Sequence, residues 1–157
     1  MSRPKLKVFI PTNRAYDSKR NWGRPKGMDG LNELIDQNRT NRYFGASKER
    51  ENVMWCARFI RQAMRVAGYA PMTRADRCRC NVRITVVEVH GERDVPNVYG
   101  GVLKYACDAL TARNRYGAGA IWDDNSNWMV LTPKIRIDPS NPGIEITVIP
   151  LEESNEA

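Results

Sequence analysis

The sequence predicts an α/β (α+β) protein in which a small mixed β-sheet packs against helices. Four short segments have the apolar pattern of strands, and two longer segments repeat apolar residues at helical spacing. Elements of this kind bury their apolar faces best when helices form a layer on a sheet. At 157 residues the chain is most simply a single domain, residues 1–157, long enough to bury a real core.

The first strand and the first helix follow from hydrophobic spacing. A short strand covers residues 6–10 and is ended by Pro11. Ser47 is a suitable N-cap for a helix whose apolar residues recur at helical spacing as far as Gly68. The residues predicted to face the core are Val53, Cys56, Ala57, Ile60, Met64 and Ala67.

A second strand and a second helix come next. Residues 81–89 alternate as a strand. Asn97 is a suitable helix N-cap, because Pro96 keeps the preceding residue extended and blocks an earlier start. Lys104 and Asp108 can be functional, or simply a solvent-exposed ion pair one turn apart. In a regular helix the polar face carries Asn97, Gly101, Lys104 and Asp108, opposite an apolar stripe of Tyr99, Val102, Leu103, Ala106, Cys107 and Leu110.

The last two strands are predicted to form a hairpin. Residues 128–137 alternate, and a second alternating run contains Ile144, Ile146 and Val148. Between them, residues 138–143 read Asp-Pro-Ser-Asn-Pro-Gly, which is strong turn chemistry. The predicted order is strand, loop, helix, strand, helix, strand, strand.

A basic loop is predicted at residues 11–46, which lack strong periodicity. A segment this long without periodic structure in a compact domain is usually functional or mobile. Aromatic and basic residues alternate there, which favours phosphate contacts and stacking on unpaired bases. Alternatively, the aromatic residues only attach the loop to the core. The candidate DNA-binding residues, one of which lies outside the loop, are Arg14, Lys19, Arg20, Arg24, Lys26, Arg42 and Arg93.

The chain is basic, and its charges are unevenly distributed. Lys and Arg total 25 against 18 Asp and Glu, a formal charge of +7. Residues 1–26 contain eight basic residues and one acid, and residues 58–83 contain seven arginines and one acid. From residue 138 onward the charged residues are all acidic. This separation favours a polyanionic partner on one face, with an ordinary basic surface as the alternative.

The apolar content and the cysteines indicate a compartment. No segment is apolar enough to span a membrane, and no signal-peptide pattern begins the chain. Cys56 and Cys107 fall on apolar helix faces. Cys78 and Cys80 with His90, the only histidine, suggest zinc, but the usual spacer is absent and no fourth ligand is evident. We therefore expect a reduced, cytoplasmic protein.

Acidic residues in two separate segments flank the second helix. Asp94 precedes it, Asp123 and Asp124 follow it, and Lys104 lies inside it. Carboxylates are ligands that Mg²⁺ and Mn²⁺ prefer, and a lysine can offset charge on a phosphate. We therefore predict a divalent metal ion beside a phosphate at this helix. The sequence contains no Ser-His-Asp or Cys-His system and no phosphate-loop glycine pattern that would favour another chemistry.

The run Asp94-x-x-Asn97, followed by Lys104-x-x-x-Asp108-Ala-Leu and by Trp122-Asp-Asp124, resembles the RusA family of Holliday junction resolvases. The likeness is sharpest over residues 93–125 and weaker over the last two strands. It implies a small homodimeric nuclease, often phage-encoded and then acting in the host cytoplasm. Such enzymes cut four-way DNA junctions in recombination and repair.

The resemblance also implies roles for single residues. Asp94 and Asp124 would bind Mg²⁺ or Mn²⁺, and Asp123 would support the metal site beside Asp124. Asn97 would hold the loop, and Lys104 would face the phosphate. These residues are the predicted catalytic site.

This chain departs from the family in its first acidic motif. The family has Asp-x-Asp-Asn, but Pro96 stands at the second aspartate and cannot bind metal, and about four extra residues precede Lys104. Glu92 can replace the missing carboxylate, because residues two apart in an extended segment point the same way. Asp108 is the second candidate. If neither serves, the alternative function is DNA binding without cleavage, and a third is a zinc-stabilised RNA- or protein-interaction module based on Cys78, Cys80 and His90.

Overall fold

A computed structural model describes residues 3–12, 42–89, 91 and 94–151, without the side chains of residues 42–45. Its strands are β1 (Leu6–Pro11), β2 (Cys80–Glu88), β3 (Met129–Ile137) and β4 (Gly143–Pro150). The first helix, α1, spans Arg42–Ala67. The second helical region consists of α2 (Val95–Val98), a π-helical turn (Tyr99–Leu103) and α3 (Lys104–Leu110). None of the helices in these ranges has the length and apolar character needed to cross a membrane.

The four strands form one mixed sheet in the order β1, β4, β2, β3. β4 is antiparallel to both of its neighbours, whereas β2 and β3 are parallel. Aligned positions put one row of apolar residues across all four strands, namely Val8, Ile146, Ile84 and Pro133. The helices cover this buried face, so the prediction of a small mixed β-sheet packed with helices is confirmed.

The predicted hairpin is wrong, because β2 lies between β3 and β4. Near its end β2 is buried on both faces, through Val86 and Val87, and it therefore needs a neighbour on each edge. The turn after β3 crosses the end of β2, where the Asp138 N–H donates to the Glu88 carbonyl oxygen at 2.9 Å. Within the described residues β3 is an edge strand, a position that tolerates Pro133.

Helix α1 begins at Arg42, five residues before the predicted N-cap Ser47. Serine is tolerated inside a helix, and each added residue contributes a backbone hydrogen bond, so Ser47 does not set the boundary. Residues 42–46 are therefore helical rather than part of the basic loop. Residues 13–41 of that loop lie outside the described residues.

Helix α1 ends at Ala67, directly before Gly68, where the sequence predicts the end. The positive φ of this glycine, 68°, lets the Tyr69 N–H donate to the Met64 carbonyl oxygen at 2.8 Å. The indole N–H of Trp55 donates to the Pro11 carbonyl oxygen at 2.7 Å and joins the helix to β1. Ala67 in the last turn is exposed, and the rest of the predicted apolar face is buried, namely Val53, Cys56, Ala57, Ile60 and Met64.

The second helical region begins earlier than predicted and is not regular. Asp94, rather than Asn97, occupies the N-cap position, with extended backbone and a carbonyl that accepts the Val98 N–H at 3.1 Å. Pro96 lies in the first turn, where an N–H has no helical partner, so it fits the helix start instead of blocking it. The π-helical turn holds more residues than an α-helical turn. Consequently Gly101 is buried instead of lying on the predicted polar face.

A carboxylate remote from the second helix fastens the beginning of the described chain to the turn after α1. Asp76 accepts hydrogen bonds from the N–H and hydroxyl of Thr73 at 2.7 and 2.8 Å, and pairs with Arg3 at 2.9 Å. The Thr73 bonds, more than Arg3, lower the pKa of Asp76. A carboxylate with a lowered pKa stabilises the fold above its ordinary pKa, and this contribution is lost as the pH falls through the lowered value.

We expect Asp76→Asn to reduce the free energy of unfolding at pH 7 by no more than about 1 kcal/mol, because the group is exposed. The reduction should shrink in acid below the ordinary pKa of 3.8. Urea denaturation of both proteins at neutral and acidic pH measures the difference. Equal losses at the two pH values would contradict an electrostatic origin.

Candidate active site

The segment that carries Asp123 and Asp124 is attached to the end of α3. Thr111 and Ile121 form a parallel bridge. The Thr111 hydroxyl donates to the Trp122 carbonyl oxygen at 2.9 Å, and the Ile121 N–H donates to the carbonyl of the last α3 residue at 3.1 Å. These bonds hold the start of the acidic segment at the helix end.

The intervening loop, residues 112–120, is packed tightly against the helix. Its carbonyls at Tyr116 and Gly117 accept hydrogen bonds from Arg61 of α1 at 3.1 and 3.2 Å. A Cβ on Gly117 would lie 1.9 Å from the Thr111 carbonyl oxygen and 2.9 Å from that of Asp108. Only glycine fits at this position without movement of the backbone.

Asp124 lies in the field of a second carboxylate, Asp108. Partial burial raises the pKa of Asp124, and a hydrogen bond with Asp123 and the charge of Asp108 raise it further. Cys107 lies in the field of the same two carboxylates. Burial raises the pKa of its thiol to about 12, and the charges of Asp124 and Asp108 contribute to the increase. The fold therefore brings together carboxylates from α3 and from the segment after it.

Lys104 joins α3 to α1. Its ammonium group donates to Glu49 and lies 3.5 Å from Asp108. Burial alone would lower the pKa of Lys104, but the hydrogen bond to Glu49 and the Asp108 charge outweigh it, and the net pKa is raised. Lys104 therefore stays protonated at neutral pH and acts as a cation rather than a base. We name this group the acidic cluster, consisting of Glu49, Lys104, Asp108, Asp123 and Asp124.

Within the acidic cluster, both carboxylate oxygens of Asp123 accept hydrogen bonds from residues of the turn in which it lies. One oxygen accepts the Asp124 N–H at 2.8 Å, and the other accepts the side-chain amide of Asn125 at 3.2 Å. The Asn125 carbonyl in turn accepts the N–H groups of Trp128 and Met129, both at 3.0 Å. Asp123 thus shapes the turn that presents Asp124.

The other predicted residues are placed less directly. Asp94 is exposed at the N-cap of α2 and makes no capping bond with its side chain. It precedes Asp108 by fourteen residues, about 20 Å along a regular helix. Asn97 lies half-buried in α2. Glu92 lies outside the described residues. Of the candidate DNA-binding residues, Arg42 begins α1. The others also lie outside the described residues, namely Arg14, Lys19, Arg20, Arg24, Lys26 and Arg93.

An arginine–tryptophan surface borders the acidic turn. The guanidinium carbon of Arg77 lies over the rings of Trp122 and Trp128, 5.4 and 4.6 Å from their centroids. Arg113 lies over Trp122 from the loop side, at 5.7 Å. We call these four residues the arginine–tryptophan surface. The sequence offered one signal for it, two tryptophans six residues apart on either side of the acidic turn.

The cysteines predicted as zinc candidates lie at the start of β2. Cys80 is buried, and its thiol lies 3.8 Å from the Cys78 carbonyl oxygen. Burial raises the pKa of Cys80 to about 12, with a further contribution from Cys78. His90 lies outside the described residues, so the zinc hypothesis remains a prediction.

The acidic cluster has a donor set that fits Mg²⁺ or Mn²⁺, which prefer carboxylate oxygens. In the part of the chain that the structure describes, no group of three or more His, Cys, Asp or Glu side chains is placed to hold a metal ion. Mg²⁺ needs only one or two carboxylates when a substrate phosphate and water complete its shell. Asp108 and Asp124 are the candidate pair, and a cation near them would offset the charge of Asp108, which adds to the effects of burial and of the Asp123 hydrogen bond in raising the pKa of Asp124.

No protein-family model matches this sequence, and no curated protein or solved structure matches it. The function is therefore inferred from the side chains that the fold brings together. Sequence reasoning named Lys104, Asp123 and Asp124 and kept Asp108 as a second candidate. It missed Glu49, because only the packing of α1 on α3 brings that residue to Lys104.

Proposed function

We propose that this protein is a metal-dependent endodeoxyribonuclease that hydrolyses phosphodiester bonds of branched DNA such as a four-way junction. The observation that carries the proposal is the placement of Lys104, whose ammonium group lies 3.5 Å from Asp108, together with Asp124, whose pKa is raised by burial, by a hydrogen bond with Asp123 and by the charge of Asp108. A carboxylate with a perturbed pKa in a group that contains a charged lysine is a candidate for a functional site. The resemblance to the RusA family over residues 93–125 supports the choice of DNA junctions as substrate.

Asp108 and Asp124 would hold Mg²⁺ or Mn²⁺. Asp123 would keep the shape of the turn that presents Asp124. The bound ion would polarise the phosphoryl oxygen and lower the pKa of an attacking water. Lys104 remains protonated and would offset negative charge that develops on the phosphate. Asp94 and Glu92 stay predictions of the sequence; because Asp94 lies about 20 Å from Asp108 along a regular helix, the proposal relies on Asp108 and Asp124 for the metal ion.

Charge distribution supports a polyanionic substrate. The acidic cluster has four carboxylates and one ammonium group, a formal charge of −3, in a chain whose formal charge is +7. A phosphate would be repelled by such a cluster unless a divalent cation neutralised part of it. The surrounding excess of Lys and Arg would draw DNA to the protein.

The second candidate function is DNA binding without cleavage. Two observations favour it: Pro96 replaces a family aspartate, and the described residues contain no three-ligand metal group.

A nuclease that cuts both strands of a junction symmetrically needs two sites, so the leading proposal includes a homodimer. It also places the protein in the cytoplasm, in recombination or repair, and four free cysteines are compatible with a reducing compartment.

Cleavage of a synthetic four-way junction tests the proposal. We expect wild type to cut the junction in Mg²⁺ or Mn²⁺, to cut a linear duplex of the same sequence far more slowly, and to cut neither with EDTA. Size-exclusion chromatography with light scattering gives the oligomeric state in the same buffer.

Asp94→Asn and Asp124→Asn are assayed alongside. Loss of cutting in both supports the predicted ligand pair, and loss in Asp124→Asn alone assigns the site to the acidic cluster. Equal nicking by wild type and both variants means that the assigned site is wrong. Binding of the junction without any metal-dependent cutting favours the second candidate.

A further inference from the structure

We propose that the arginine–tryptophan surface is a binding site for the phosphodiester backbone of DNA, next to the acidic cluster. This inference rests on the proposed function in one respect, the identity of the polyanion. It names a surface different from the basic loop that the sequence predicts.

The geometry holds the Arg77 side chain in place. Its guanidinium group lies over two indole rings. The cation–π attraction to each ring restricts the side chain compared with an arginine that is surrounded only by water. Trp122 and Trp128 are half-buried, whereas Arg77 is exposed. A guanidinium group fixed in this way loses little freedom when it binds a ligand.

The chemistry of the surface selects phosphate. The planar guanidinium group has N–H donors around its edge that match two phosphate oxygens at once. Arg77 lies over both indole rings, so the ring faces that it covers are not open to stacking by unpaired bases. The preferred ligand is therefore the sugar–phosphate backbone and not the bases.

No ion pair neutralises the guanidinium groups of the surface within the described residues. In the described ranges of the chain, neither Arg77 nor Arg113 takes part in a salt bridge, unlike Arg3 and Arg136, which pair with Asp76 and Glu145. Uncompensated arginine charges are the ones that displace counterions when they meet a phosphate.

The arginine–tryptophan surface lies where it can position a DNA strand beside the acidic cluster. Trp122 directly precedes Asp123, so a phosphate held by Arg77 or Arg113 lies close along the strand to the acidic cluster. Carboxylates repel DNA, and an arginine beside them offsets this repulsion while fixing the register of the backbone. The surface would therefore position the strand that the acidic cluster acts upon.

Arg77→Gln and Arg113→Gln test the proposal. Binding of a fluorescent four-way junction is measured by anisotropy in EDTA, so that cleavage plays no part, over a range of salt concentrations. We expect each variant to lose about tenfold in affinity, as for one charge-assisted contact. The slope of log K against log salt should fall by about 0.9 for each lost phosphate contact.

Arg136→Gln is the matched control. It removes the same charge, but Arg136 lies seven residues beyond Met129 on β3, about 23 Å along the strand from the acidic turn. We expect less than a twofold change in affinity for this control. Arg77→Lys keeps the charge without the planar fork, and it should keep the salt slope while losing affinity.

Wild-type affinity and salt slope in both glutamine variants would overturn the proposal, as would an equal loss in the Arg136→Gln control. A lower melting temperature without weaker binding would show that the arginines only pack on the tryptophans, which also overturns it. If the variants lose binding while wild type never cuts DNA, this inference stands and the nuclease proposal fails. If wild type cuts junctions and the variants bind them normally, only this inference fails, and absence of DNA binding by wild type overturns both.

Discussion

Asp124→Asn is expected to lower the rate of junction cleavage by a factor on the order of 10²–10³, the size of effect that follows the loss of one preorganised electrostatic interaction in an active site. Asparagine keeps the shape of the side chain but gives Mg²⁺ a neutral oxygen. Its loss of charge also ends the mutual repulsion with Asp108. The variant should therefore lose activity without losing its fold.

The same substitution is expected to stabilise the protein slightly at neutral pH. A carboxyl group whose pKa is raised by folding destabilises the folded state whenever it is ionised. This penalty is fully present above the raised pKa and disappears as the pH falls through it towards the ordinary value of 3.8. Because the group is largely exposed, we expect a gain of about 0.5 kcal/mol. A gain of that size raises Tm by roughly 1–2 °C in a chain of this length.

Single-turnover cleavage and thermal melting of the same preparation check both expectations. Asp138→Asn is the matched control, because Asp138 lies in the turn after β3 and its oxygen accepts the Ser140 N–H at 3.1 Å, a role that asparagine can fill. It should cut normally. Normal cleavage by Asp124→Asn, or a lower melting temperature that accounts for its inactivity, would count against the site.

Gly117→Ala is expected to destabilise the protein by roughly 3 kcal/mol or more, because the added methyl group meets backbone and not a side chain that can turn away. The nearest atom, the Thr111 carbonyl oxygen, would be 1.9 Å from the new Cβ. Thr111 also fixes Trp122 ahead of the acidic turn. The variant should therefore lose cleavage activity together with stability.

Urea denaturation measures this loss. Gly91→Ala is the control, since the nearest atom to a Cβ there is Ile137 Cδ1 at 3.9 Å, an ordinary contact. We expect that control to change stability by less than about 1 kcal/mol. Equal stability of the two variants would show that the loop after α3 is less closely packed than its geometry indicates.

The sequence predicts the order of elements and most buried faces, because both follow from local spacing. Ile84 and Ile146 alternate with polar neighbours, and Ile60 recurs at helical spacing, so each is assigned to the core without knowledge of its partner. The pairing of strands is not local. Turn chemistry after β3 indicates only that the chain reverses, and the apolar neighbours Val86 and Val87 were the signal that β2 belongs in the middle of the sheet.

The candidate site was predictable to a similar extent. Lys104 and Asp108 are one helical turn apart, so their proximity follows from spacing alone. Glu49 lies 55 residues from Lys104, and Arg77 comes from the segment before β2, so only tertiary packing brings either residue to the site. The π-helical turn was also hidden, because nothing in the pattern of residues 99–103 separates it from an ordinary helix.

The edge position of β3 has a consequence for behaviour at high concentration. An exposed edge invites strands of other molecules to add to a sheet, the first step of many aggregation reactions. Pro133 in the middle of β3 lacks the N–H that such an addition would use, and Lys134 places an exposed charge on the same strand. The outer strand is thereby suited to keep the protein from assembling into sheet-like polymers at high concentration.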